Sequence, residues 1–187
     1  MQSALYQGNH SFVVKEEELP SPGKGDVRLR VSHCGICGTD KHIFHGKMDK
    51  RVSIPQSIGH EMSGVVDAVG DEVEDFKPGE AVTVRPLYPC FECPACQAGH
   101  SHICHNLKFI GIDTPGALQE YWVVPAFTLH HLPDDFPLHL GALIEPLAVA
   151  CHDVRLGEVK EDDTVIVLGG GPIGLLIAKV AQLNGAT

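Results

Sequence analysis

Residues 164–174 read Thr164-Val165-Ile166-Val167-Leu168-Gly169-Gly170-Gly171-Pro172-Ile173-Gly174, a β-branched and aliphatic run that ends in glycines, and residues 173–183 continue with helical composition and spacing. An uninterrupted apolar run is the pattern of a strand buried on both faces, and a helix opening directly after it makes the strand, turn and helix of a parallel sheet. The glycines at 169, 171 and 174 take the G-x-G-x-x-G spacing of a dinucleotide-binding turn. The first glycine allows the tight turn, the second lets a pyrophosphate approach the backbone, and the third lets helix pack closely on strand. Gly169, Gly171, Pro172, Ile173 and Gly174 are therefore the candidate cofactor-binding residues, with phosphate charge meeting the helix N-terminus. A glycine-rich loop joining two core elements is the plainer alternative. The acidic residue that separates NAD from NADP is expected about 20 residues further on, past Thr187, so the choice between them is not legible.

Working back from this unit, Leu138, Leu140, Ala142, Leu143, Leu147, Ala150 and Val154 recur at near-helical spacing and predict two short helices flanking Pro146. Before Pro133 the texture is different. Val27, Leu29 and Val31 alternate with Arg28, Arg30 and Ser32, a half-buried strand, and residues 64–69, 81–84 and 119–124 are further strands separated by Pro78-Gly79, Pro86 and Pro115-Gly116. Many short strands at close spacing predict a barrel or sandwich. The expected organisation is a mainly β domain over residues 1–150, followed over 151–187 by the first βα unit of an α/β dinucleotide-binding domain. That fold needs several more such units, so the chain is expected to be part of a longer protein and to be inactive by itself.

Composition narrows the partners. The 187 residues carry 14 Lys plus Arg against 24 Asp plus Glu, a formal net charge of −10, which leaves no basic face to neutralise phosphates and argues against nucleic acid. Residues 1–10 are polar, with neither a positive n-region nor an apolar h-region, and no apolar run reaches the roughly 18 residues of a membrane span. A soluble cytoplasmic protein without a membrane partner is the expectation.

Seven cysteines is an odd count, in a reducing compartment thiols serve metals or chemistry more often than disulfides, and four of them, Cys90, Cys93, Cys96 and Cys104, form C-x2-C-x2-C-x7-C. Four thiolates within fifteen residues can surround one tetrahedral zinc, and an all-sulfur shell leaves no position for a reacting group, so that ion is expected to be structural. Two disulfides are the plain alternative, disfavoured in a reducing compartment. An iron-sulfur cluster also uses four thiolates, but no proline follows Cys104 and no second cluster motif is present. Elsewhere Cys37, the pair His60-Glu61 after Gly59, and Glu145 are all zinc-ligand types scattered along the chain, and only tertiary structure can gather them. A Cys, a His and a carboxylate would leave one coordination position open, as a catalytic zinc requires. Taken singly, each has an ordinary reading as a core or solvated residue. Consecutive strand residues point to opposite faces, so His60 and Glu61 converge only if the backbone turns at Gly59.

Cys34-Gly35-Ile36-Cys37-Gly38-Thr39-Asp40, Gly59-His60-Glu61, the cysteine cluster and Gly169-Gly170-Gly171-Pro172-Ile173-Gly174 stand in the order found in medium-chain zinc-dependent alcohol and polyol dehydrogenases, and the whole chain resembles that family. The resemblance implies a GroES-like β-barrel catalytic domain followed by a Rossmann domain, two zinc ions per chain, NAD as cofactor with NADP open, and a homodimer or homotetramer. Ala142-Leu143-Ile144-Glu145-Pro146-Leu147-Ala148-Val149-Ala150 is similar to the sorbitol and butanediol dehydrogenase branch, which places glutamate near the catalytic zinc where the liver alcohol dehydrogenase branch has cysteine. By the same resemblance Cys37 and His60 bind that zinc, Glu61 and Glu145 bind it or stand beside it, Asp40 orients His60, Thr39 receives the substrate's proton and His42 is the outer acceptor, a task suited to a group titrating near neutrality. Cys34 and Cys151 are expected to be buried structural thiols, and a redox reading of Cys34 with Cys37 is disfavoured because a strand precedes them. The implied substrate is a small secondary alcohol, a polyol or vicinal diol, with a threonine dehydrogenase-like activity as the nearest alternative. A noncatalytic zinc-stabilised binding module is the alternative outside enzymes, and the zinc-free quinone reductase branch is opposed by the metal-ligand residues.

Overall fold

Ten strands and five α-helices follow from this pattern in a computed structural model that describes residues 1–187. The strands are β1 (Gln2–Gly8), β2 (Ser11–Glu16), β3 (Asp26–Gly35), β4 (Gln56–Ser57), β5 (Glu61–Val69), β6 (Ala81–Val84), β7 (Leu87–Tyr88), β8 (Lys108–Phe109), β9 (Tyr121–Pro125) and β10 (Leu129–His131). The helices are α1 (Gly38–Phe44), α2 (Pro94–Gln97), α3 (Leu138–Gly141), α4 (Ile144–Leu156) and α5 (Pro172–Leu183). The chain divides into two compact units, Met1–Ala142 and Leu143–Thr187.

The first unit is mainly β, as its alternating pattern requires. Five antiparallel strands run in the order β10-β6-β5-β3-β9, with β2-β1-β4 as a second sheet and β7-β8 as a two-stranded ribbon. In β3 the buried residues are Val27 and Leu29, and β5, β6 and β9 add Met62, Val66, Val82, Val84, Trp122 and Val124 to the same core. Arg28, on the opposite face of β3, reaches Asp67 at 2.6 Å. A smaller core of Tyr6, Ile43, Val52, Ile58 and Ile112 ties α1 to the loops around Gly59 and residue 111. Ser63 Oγ donates to Leu138 O and so fastens α3 onto β5.

In the second unit Ala150 and Val154 of α4 pack with Val180 and Ala181 of α5. That shared core draws all of α4 into this unit, so the division falls ahead of residue 150. Three local expectations are corrected here. Pro146 does not separate two helices but sits in the first turn of one, where the missing N–H costs no intrahelical bond. Residues 164–168 are not a paired strand. Only Val165 N to Thr187 O and Thr187 N to Asp163 O hold the segment laterally, while Ile166 is 81% and Leu168 95% exposed. A strand needs neighbours to satisfy its ladder, and within residues 1–187 Thr187 alone pairs with this segment. Cys151, finally, is exposed on α4. No helix is long and apolar enough to cross a membrane.

Candidate metal centres and cofactor turn

At the end of β3 the chain turns into α1, and Cys37 is that helix's N-cap. Its Sγ accepts from Thr39 N at 3.3 Å, while Asp40 Oδ2 accepts from Cys37 N at 2.9 Å, a reciprocal capping box with sulfur in place of the usual hydroxyl. His60 arrives from the other side of the β3–β5 pairing. Gly59 adopts φ +99°, and a Cβ there would lie 2.8 Å from Cys34 Sγ, so glycine is required on both conformational and steric grounds. The turn brings His60 Nε2 to 3.5 Å from Cys37 Sγ. Glu61 pairs with Gly35, whose absent side chain leaves room for the Glu61 carboxylate: a Cβ at 35 would lie 2.5 Å from Oε2.

One ligand atom from each of Cys37, His60 and Glu61 therefore lies within 4.8 Å of the others. In a tetrahedral zinc site with ordinary Zn–S and Zn–N bonds, sulfur and nitrogen stand about 3.6 Å apart, so the observed spacing fits a shared ion. Burial pushes the Cys37 thiol and the Glu61 carboxyl up, the latter helped by Asp40, and pushes His60 down against the opposing pull of Asp40. Burial shifts all three toward their neutral forms, and a divalent ion would oppose that shift for the thiol and the carboxyl. His60 Nδ1 and Asp40 Oδ1 are buried with no hydrogen-bond partner. Asp40 acts on His60 through charge, and its one hydrogen bond here goes to the Cys37 amide. Glu145 lies in the first turn of α4, in the second unit. Thr39 is half-buried beside Cys37, and His42 is exposed further along α1.

Cys90, Cys93, Cys96 and Cys104 form the second cluster, with all four sulfurs within 4.8 Å of one another. Cys90 and Cys104 are 3.4 Å apart and Cys93 and Cys104 3.8 Å. The edge of a ZnS4 tetrahedron is about 3.8 Å, whereas a disulfide needs about 2.05 Å. All seven cysteines of the chain are free. Amides face the sulfurs: Cys90 N and Asn106 N each lie 3.3 Å from Cys104 Sγ, and Cys93 N lies 3.4 Å from Cys90 Sγ. N–H groups of His105 and Cys96 bring Cys93 down to about 6, while burial and the neighbouring thiols push Cys96 up to about 12, so the four sulfurs do not all ionise together without a cation among them. Both clusters thus fit zinc by donor chemistry and spacing.

In the second unit, Gly171 is the N-cap of α5 and Pro172 its first residue, where no N–H is needed. A Cβ on Gly174 would lie 2.0 Å from Gly169 O, which forces glycine there, whereas Gly169, Gly170 and Gly171 face open space. The turn leaves the backbone accessible where a phosphate would approach.

Residues 23–134 match the family described as the alcohol dehydrogenase GroES-like domain. The chain belongs to the medium-chain zinc-dependent alcohol and polyol dehydrogenases. Among curated relatives of this dehydrogenase family it is 59% identical over 186 residues to 2-dehydro-3-deoxy-L-galactonate 5-dehydrogenase of Pseudoalteromonas atlantica, covering 100% of this chain and 54% of the relative. A zinc-binding dehydrogenase from Sinorhizobium meliloti 1021, solved with NADP, superposes with TM-score 0.94 at 39% identity, over 100% of this chain and 54% of that one. The rspB dehydrogenase of Escherichia coli CFT073, solved with NADH, gives 0.90 at 38% identity, over 97% and 53%. The chain spans about half the length of the relatives it matches.

Sequence reading missed what holds the site together. Gly35, which admits Glu61, and Gly111 and Gly116, whose Cβ atoms would strike the backbone at Gly59 and Ile58, give no signal beyond being glycine.

Proposed function

We propose that this chain supplies the metal-binding domain and the opening of the cofactor domain of a zinc-dependent dehydrogenase that moves a hydride from a secondary alcohol to NAD(P). The convergence of Cys37, His60 and Glu61, from a helix N-cap and from the turn that opens β5, carries this reading. These residues hold the catalytic zinc, with Glu145 as a further ligand or neighbour, and Cys90, Cys93, Cys96 and Cys104 hold a second, structural ion. When bound, zinc at the first site supplies the Lewis acidity that makes an alcohol hydroxyl acidic near neutral pH. The chain's own residues do the rest. Thr39, whose amide is tied to Cys37 Sγ, accepts the hydroxyl proton on Oγ1 as it releases its own, and His42 on the exposed side of α1 takes the relayed proton and gives it up to solvent. Gly169, Gly171, Pro172, Ile173 and Gly174 receive the pyrophosphate of NAD, or of NADP.

The substrate we propose is a polyhydroxy compound, and the likeness to a 2-dehydro-3-deoxy-L-galactonate 5-dehydrogenase narrows it to the secondary hydroxyl of a sugar acid. Seven free thiols suit the cytoplasm, and a homodimer or homotetramer is carried over from the family.

A metal count and a substrate screen test the proposal. Two zinc ions per chain are expected, with NADH or NADPH formed from sugar acids, polyols or diols by the protein that carries both halves of the nucleotide cleft. A single zinc, lost from Cys37 and His60, would instead favour a zinc-stabilised binding module.

A further inference from the structure

The loop that follows the cysteine cluster also reaches the candidate catalytic site. Phe109, at the end of β8, sets its ring edge-on to the His60 imidazole, with centroids 5.0 Å apart and planes at 87°. Phe109 is held in turn by Asp113. Asp113 Oδ2 accepts from Phe109 N at 2.7 Å, and Asp113 N donates to Phe109 O at 2.8 Å. Arg51 grips the same carboxylate through two bonds, Nε to Oδ1 at 2.6 Å and Nη2 to Oδ2 at 2.8 Å. Two further contacts press this loop against the His60 turn. A Cβ on Gly111 would lie 2.3 Å from Gly59 O and 3.1 Å from His60 Cβ, and Ala117 N donates to Gly59 O at 2.9 Å.

His60 Nδ1 is buried with no hydrogen-bond partner, as is Oδ1 of the nearby Asp40, so no bond to the ring's other nitrogen fixes it here and packing contributes to its orientation. We infer that Phe109, locked by the Arg51–Asp113 fork, is the positioning group that aims His60 Nε2 at Cys37 Sγ, so the fork sets metal affinity at that site without touching the metal. A bidentate guanidinium–carboxylate pair suits this task, because two parallel bonds fix direction as well as distance. The inference rests on the metal-site reading above.

The experiment is Co2+ and Zn2+ binding by chelator competition, with Cys37→Ser identifying which binding class belongs to which site, and the Co2+–thiolate absorption band reporting on Cys37. Arg51→Ala, Asp113→Asn and Phe109→Leu are compared with wild type. Arg51 is about half exposed, so its replacement leaves the core intact even if Phe109→Leu does not fold. Each variant is expected to weaken the Cys37–His60 class by roughly tenfold or more and to shift its cobalt band. The four-cysteine class should stay at wild-type affinity, and Arg51→Lys should fail to rescue. Equal affinity and spectrum in wild type and Arg51→Ala would overturn the positioning role while leaving the metal site standing. A parallel loss at both classes would also overturn it, as general destabilisation. A wild-type protein that binds only one metal class, insensitive to Cys37→Ser, would overturn the metal-site reading itself.

Discussion

The four-cysteine knuckle and the Cys37–His60–Glu61 site use the same donor chemistry but are built in opposite ways. The knuckle gathers four sulfurs from fifteen consecutive residues, with amides of the same short loop aimed at them. The other site brings Cys37 to a His60–Glu61 pair more than twenty residues away, through a strand pairing, a helix N-cap and a glycine turn, and leaves Nδ1 of its histidine without a hydrogen bond. A local site is a property of a loop. A dispersed site is a property of the fold, so it should be more sensitive to changes that touch no ligand.

The largest expected difference comes from removing one ligand on each side. Cys37→Ser should empty one of two metal sites and lower activity at least about a thousandfold, while thermal unfolding moves little. Cys93→Ser should also remove one metal equivalent but lower the unfolding temperature clearly, because metal affinity in a closed all-sulfur site is folding free energy. Metal analysis with differential scanning calorimetry separates the two, and equal unfolding shifts would break the contrast.

Next comes Gly59→Ala. It places a side chain at φ +99° and 2.8 Å from Cys34 Sγ, and should cost about 3 kcal/mol in denaturant unfolding while preferentially weakening the Cys37 site. A matching substitution at the knuckle, Gly99→Ala at φ +82° with open space around it, should cost only about 1 kcal/mol.

The smallest effect is electrostatic. Arg51 and the Phe109 amide hold Asp113 below the usual carboxylate range. A group whose pKa is lower folded than unfolded stabilises at pH above the unfolded value, about 3.9, and that contribution disappears as pH falls through the folded value. Asp113→Asn should therefore cost about 1 kcal/mol at pH 7, after allowance for the half-exposed Arg51, and nothing once the wild-type carboxylate is protonated. Urea midpoints measured from pH 7 down to pH 2 check this, and a constant offset would refute it.

Much of the architecture was legible because its signals are local. The alternation of Val27, Leu29 and Val31 marked β3, and residues 81–84 were read with the bounds that β6 has. The expected turn at Gly59 is there. Pro146 misled because a proline in a helix's first turn looks the same in sequence as one that ends a helix. Residues 164–168 state by their apolar run what the segment would bury, while the strands to pair with it lie outside these 187 residues, which span about half the length of the relatives.

The chain's order of residues by itself determined the knuckle, since its four cysteines are neighbours in the chain and their spacing brings the sulfurs together. It also determined which residue types were available at 37, 60, 61 and 145. Only the tertiary structure decided that Cys37, His60 and Glu61 share one volume, that Asp40 spends its hydrogen bond on a helix cap and not on His60, and that Phe109, Asp113 and Arg51 stand behind the histidine. Distances between residues far apart in the chain depend on every pairing and core contact between them, and no short window of sequence holds that information.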